Sequence, residues 1–427
     1  MSLRSEIAKL VDSIPLADTH EHICEEKMRL GPDAHTDISL LFTHYCDSDL
    51  QVVGMCWEDI QKLRSPELSA REKWEMVKPY YQAARNTGYF VASRFTAQKL
   101  YGVDDITDDT IQELDRKIKK TVKPGFTRRV LKEVANIDHC QVNSLECSPF
   151  CETDLPDVLL QDIGTPCLVN GWSNKDLWNG VGVDVKTIYD YHEVIDRYFE
   201  KYAPVATATK NQMAYERRLD YEDVPAEQVE TVFGRVATGK CEPTAKARKT
   251  MQDHLFHYCV RKATEHNLPV KLHTGYYAGV NSMPLHRLRH NGGDMCELLM
   301  KHQAARFVFM HITYPYQSEL IAVCKQHGNA YADMCWGWII NPAAATRFLK
   351  EFLMAAPATK IFSFGGDYGA VEPVVGHAAV ARKGISQVLA ELVEEGWMPE
   401  SEVEYVANRI IRDNAREVFN VKKKFGI

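Results

Sequence analysis

A chain of 427 residues and 48.6 kDa, 45% hydrophobic and 26% charged, has a globular composition and the length for one large barrel with insertions. Its net charge of −7 and pI near 6.2 speak against a nucleic-acid footprint, and no apolar run reaches the ~20 residues of a membrane span. The twelve cysteines are scattered through apolar patterns and read as reduced thiols, Cys147 and Cys151 being the pair whose spacing stands out.

The first segment, residues 2–13, spaces Ile7, Leu10 and Val11 as an amphipathic helix does, and Pro15 breaks it. No long apolar signal core is seen here, so a cytoplasmic location is expected. Leu16 to Ile23 then reads as a buried strand ending in His20-x-His22. Alternate residues of a strand share a side, so both imidazoles can reach one cation.

Residues 25–135 are helical and aromatic with no alternating strand, far beyond an ordinary strand-to-helix connection. They are expected as an insertion at a barrel mouth, inside a single domain spanning residues 1–427, with Tyr45 and Arg85 as candidates for the pocket wall. Cys140–Ser144 and Pro166–Gly171 fit the second and third strands, and Pro204–Thr209 the fourth, delivering Lys210 to the rim ahead of Asn211, Tyr215, Arg217 and Arg218. Asp138 and His139 suit a structural hydrogen bond better than ligation.

A long helix from Thr244 to His266 leads to the fifth strand, which ends in His273; the sixth ends in His311, and the eighth leads through Gly365-Gly366 to Asp367. His254 and His257 share that helix but precede the strand, which puts them outside the barrel. Tyr331–Trp338 supplies the seventh strand, with Trp336 and Trp338 on one side of an extended chain, and Tyr276 is placed to reach inward over the site. Short apolar runs, each closing on a metal-binding residue and each preceded by a helix, predict an α/β fold, a (β/α)8 TIM barrel with its site at the C-terminal ends of the strands.

In that order, His20-x-His22, His273, His311 and Asp367 resemble the amidohydrolase superfamily of distorted barrels. Ala206–Arg217, Lys271–Gly275 and His311–Tyr316 are similar to its amidohydrolase-related (amidohydrolase 2) group, which includes domains fused to glutamine-synthetase-like modules. The insertion and Cys335–Asn341 look like uronate isomerases. The resemblance implies a metal-dependent hydrolase-type barrel with a large helical insertion after strand one.

It also implies one divalent cation, zinc first and manganese second, on His20, His22, His273 and Asp367, with a cation-acidified water as nucleophile. Asp367 would shuttle the proton and His311 would orient the substrate carbonyl. Three roles stay open for Lys210: carboxylation to bridge two metals, an ammonium for a substrate carboxylate, or a structural ion pair. The expected substrate is a small carboxylate-bearing amide, lactone or related carbonyl compound, held by Lys210, Arg217, Tyr45, Arg85, Tyr276 and Trp336, with no nucleic-acid or membrane partner and a homo-oligomer possible.

The alternatives are uronate-isomerase-like aldose–ketose isomerisation and non-oxidative decarboxylation, the latter kept open by Asp18 two residues before His20; a non-catalytic scaffolding barrel is the third. Uronate isomerases do not rely on a histidine after strand six, so His311 tilts the reading towards hydrolysis.

Overall fold

The computed structural model describes residues 2–31, 34, 36–143 and 149–426. Its strands are β1 (Leu16–Glu21), β2 (Ile137–Val142), β3 (Leu159–Gln161), β4 (Ile163–Gly164), β5 (Thr209–Asn211), β6 (Val270–His273), β7 (Phe307–Met310), β8 (Ala330–Asp333) and β9 (Ile361–Phe362). All pairings are parallel, in the orders β1-β2-β3 and β4-β5-β6-β7-β8-β9. Only Asp162 separates β3 from β4, so the nine segments make eight barrel strands. Thr19 N donates to Phe364 O at 3.1 Å and Asp367 N to His20 O at 2.9 Å, which joins the last strand to the first.

Every residue of β1 and β2 is buried, as strands wrapped by helices require. Inside the barrel Lys271 Nζ meets Asp162 Oδ2 at 2.7 Å, both side chains without solvent exposure, and also donates to Thr19 O. The helix Leu3–Ser13 buries Ile7 and Val11 and is pinned by Arg382, which donates to Val11 O and Ile14 O from the helix Glu372–Glu394. The described residues of 26–134 form helices and no strand. Their own core gathers Phe42, Trp74, Tyr81 and Phe90, and Gly88–Tyr101 crosses Glu372–Glu394 so closely that a Cβ at Gly376 would overlap Ala92 O.

Four strand boundaries differ from the sequence expectation, the first being β2, which begins at Ile137 rather than Cys140. The third strand lies earlier, at Leu159–Gly164, while Pro166–Val169 is a helical turn; Pro166 stands at its first position, where a missing N–H costs nothing. The fourth begins only at Thr209, because Ala203–Val205 are a turn with Val205 half exposed. The seventh stops at Asp333: Trp336 has φ +60° and Gly337–Ile340 is helical, so Trp336 and Trp338 do not alternate along a strand. Trp338 instead sits in the core, donating to Ser363 O at 2.8 Å. Asp138 and His139 lie within β2, hydrogen-bonded to each other at 2.9 Å, and Glu372 and His377 belong to the helix Glu372–Glu394.

Cys46, Cys56, Cys140, Cys241, Cys259, Cys296, Cys324 and Cys335 are free thiols; Cys147 and Ser144 lie outside the described residues. No helix among the described residues is long and apolar enough to cross a membrane.

Candidate metal centre

Strand ends deliver the site. His20 and Glu21 close β1, His273 closes β6, His311 follows β7, and Asp367 follows β9 through Gly365-Gly366. His20, His22, His273, His311 and Asp367 line one cavity of about 450 Å³ with Cys24, His44, Tyr45, Gln212, Tyr215, Ala278 and Gly369. Asp367 Oδ1 is 3.0 Å from His20 Nε2 and 3.3 Å from His22 Nε2, and its Oδ2 is 3.9 Å from His311 Nδ1. Nitrogen and oxygen atoms of His20, His311 and Asp367 all fall within 4.8 Å of one another, and the His273 ring lies 4.3 Å from that of His311. His311 thus stands among the donor atoms rather than apart from them.

Backbone carbonyls orient these rings. Asn143 O accepts from His22 Nδ1 at 2.6 Å, Tyr276 O from His273 Nε2 at 3.1 Å and Cys335 O from His311 Nδ1 at 3.2 Å. Each carbonyl fixes a proton on one nitrogen and leaves a lone pair on the other, as ligand histidines are arranged. For His22 that lone pair faces a carboxylate oxygen, two electron-rich atoms that a cation between them would reconcile. Burial keeps His20, His273 and His311 neutral, holding His20 and His273 well below their ordinary range and His311 at about 4. His20 Nδ1, buried, has no hydrogen-bond partner among the described residues. Burial alone would raise the Asp367 carboxyl, but the facing His20 and His22 hold it well below its usual range. Two or more imidazoles and one carboxylate, neutral and ionised respectively, suit a zinc-like or manganese-like ion.

Lys210 lies within β5, fully buried, its Nζ 3.3 Å from His20 Nε2; burial lowers it to about 8. Tyr45, from the insertion, donates its hydroxyl to Asp367 O at 2.7 Å and stacks on Tyr89. Trp336 packs edge-on against His311 and face-on against Tyr276, and its buried indole N–H has no partner among the described residues.

Two expected residues turn away. Arg217 is paired with Asp253 at 2.6 Å and lies over the Tyr221 ring, so its guanidinium is spent on a neighbouring helix. Arg85 is paired with Asp105 at 2.6 Å within the insertion. Asp18 is buried beneath the site, where it accepts from His20 N and Gly366 N, and does not line the cavity. His254 and His257 are committed to His192 and His302 outside the barrel.

His44, Gln212 and Tyr215 were not singled out as site residues by the sequence, and nothing in it shows that His44 adopts φ +63° beside Tyr45. Tyr215 could have been found as the next aromatic after Lys210; its ring is 4.6 Å from that of His273.

A parallel barrel of this kind, with histidines and a late aspartate at its strand ends, defines a metal-dependent hydrolase-type enzyme fold. Residues 192–421, more than half of the chain, match the amidohydrolase family, and the chain belongs to that family. The structure is similar to uronate isomerase from Thermotoga maritima, at 13% identity and a TM-score of 0.79, covering 98% of this chain and 97% of that one. It is also similar to glucuronate isomerase from Caulobacter crescentus, at 16% identity and a TM-score of 0.77, covering 98% and 94%. At such identities the likeness is one of fold. Protein fluG of Emericella nidulans is 26% identical over 168 residues, 37% of this chain, and the match spans 19% of that protein's length.

Proposed function

We propose that this chain hydrolyses a small amide, lactone or related carbonyl compound, using one divalent cation held by His20, His22, His273 and Asp367 with His311 beside them. The observation that carries the reading is His22, whose Nδ1 is fixed on Asn143 O while its Nε2 faces Asp367 Oδ1 at 3.3 Å. A cation bound there would acidify a water and polarise a carbonyl. Asp367, kept ionised, accepts the proton of the attacking water at a carboxylate oxygen and returns it to the leaving group. His311, neutral and fixed by Cys335 O, keeps an acceptor nitrogen that would take a hydrogen bond from an N–H or O–H of the substrate and so orient its carbonyl.

The substrate's other end meets Tyr45, Tyr215 and His44 in the cavity wall, with Trp336 and Tyr276 stacked nearby to supply an indole N–H and an aromatic face. Of the expected cations, Arg217 and Arg85 are spent on their ion pairs and Lys210, fully buried 3.3 Å from His20 Nε2, does not line the cavity, so no carboxylate handle is part of this reading. A cavity of about 450 Å³ suits a small molecule.

Uronate-like aldose–ketose isomerisation is the second reading, favoured by the likeness in fold to two uronate isomerases, with the ionised Asp367 carboxylate as the base that would move a proton between neighbouring carbons. Incubating the metal-loaded protein with a panel of small amides and lactones, and separately with uronates, tests both: new carboxylate with amine or alcohol supports hydrolysis, and ketose formation alone replaces it with isomerisation.

A further inference from the structure

The turn that carries Asp367 is gripped by β1 on both sides. We infer that Asp18 and Glu21 are positioning residues that set where the Asp367 carboxylate points, an inference that rests on reading Asp367 as a ligand of the cation. Gly366 N donates to Asp18 Oδ1 at 3.1 Å, and Tyr368 N donates to Glu21 Oε2 at 2.6 Å. The N–H groups before and after Asp367 therefore both end on carboxyl oxygens of the strand that bears His20. Asp367 N itself donates to His20 O at 2.9 Å, and His22 N returns a bond to Tyr368 O at 3.0 Å.

The residue between these bonds has φ +64°. A side chain in that left-handed region persists only where its surroundings over-determine it. Here Asp18 and Glu21, neither with any solvent exposure, do so from below, Tyr45 fastens the Asp367 carbonyl from the insertion, and His377 donates to Gly366 O at 3.1 Å. The register of β1 against β2 is broken between Asp18 and Glu21, and such an irregularity re-aims side chains, so residues of opposite parity reach the same turn. A Cβ at Gly366 would overlap Glu21 Oε1, so the glycine is what lets the carboxyl group come this close. Neither acid lines the cavity; they act through Asp367.

The test measures zinc affinity of the full chain by competition with a chromophoric chelator, together with the melting temperature of the metal-free protein. The variants are Glu21→Ala, Glu21→Gln, Asp18→Asn, Gly366→Ala and the double variant Glu21→Ala/Gly366→Ala. Glu21→Ala and Gly366→Ala should each weaken zinc by about 10- to 100-fold, as loss of a ligand's supporting partner does. Glu21→Gln and Asp18→Asn, which keep an acceptor in place, should stay near wild type. The double variant should bind no worse than the weaker single one, because both disturb one contact. If Glu21→Ala does not fold, Gly366→Ala set against Glu21→Gln carries the comparison. Wild-type zinc affinity in both Glu21→Ala and Gly366→Ala, whatever their melting temperatures, would overturn the positioning role and leave the cation reading standing. A wild-type chain that takes up no zinc would overturn the cation reading, and this inference with it.

Discussion

His22 and Asp367 face each other across 3.3 Å with the imidazole proton held on the far nitrogen by Asn143 O. With the ring neutral, a divalent cation between the two atoms makes that approach favourable, and the chemistry proposed here turns on it.

Asp367→Asn should keep cation binding at least in part, since an amide oxygen can still coordinate, while turnover falls by about 10²- to 10⁴-fold for want of a proton acceptor. Metal content and kcat measured on the same preparation check this. Wild-type turnover in the variant would remove Asp367 from the proton path.

Trp336→Phe keeps an aromatic face against Tyr276 and removes the unpartnered indole N–H. With the substrate found by the panel, KM should rise by about five- to tenfold, the worth of one hydrogen bond, with kcat little changed. An unchanged KM would show that the indole N–H does not touch substrate.

How much of this could be read from the sequence varies from strand to strand. β6 and β7 were plain, because the short strand-like runs Val270-Lys-Leu272 and Phe307–Met310 end abruptly in His273 and His311. The third strand was misplaced because Pro166-Cys-Leu-Val reads equally as a strand or as a turn of helix with proline first, and only the pairing of Leu159–Gln161 with β2 decides. Arg217 looked available because its partner, Asp253, lies on a helix 36 residues further on. Trp336 was expected on a strand's face, and the left-handed backbone that carries it to the site leaves no mark in residue type. His20, His22, His273, His311 and Asp367 did come together, since their chain order and strand-end positions depend on topology, which apolar runs do reveal.

Lys271→Met should destabilise the fold by about 3–5 kcal/mol, because it leaves the Asp162 carboxylate buried inside the barrel with no counter-charge. Replacing Asp162 with leucine in the same chain should recover most of that loss. Urea unfolding of the single and double variants measures both.

Asp138 links β2 to the C-terminal helices through Arg416. Burial by itself would raise its carboxyl, but hydrogen bonds from His139 and Arg416 outweigh this and hold it well below the ordinary value of about 3.9. A carboxyl whose pKa is depressed by folding adds stability that is complete above its unfolded pKa and fades as pH falls below it. Asp138→Asn should therefore cost stability at pH 6 to 7, and the gap to wild type should shrink as the pH is brought below about 4. A gap that stays constant over that range would mean the ion pair is not its source.

The most direct measurement is the metal content of the chain purified without chelator, by elemental analysis, before and after dialysis against zinc or manganese. About one equivalent, removed by chelator together with activity and a fall in melting temperature, is the predicted result. No bound metal even after reconstitution would contradict the account at its centre.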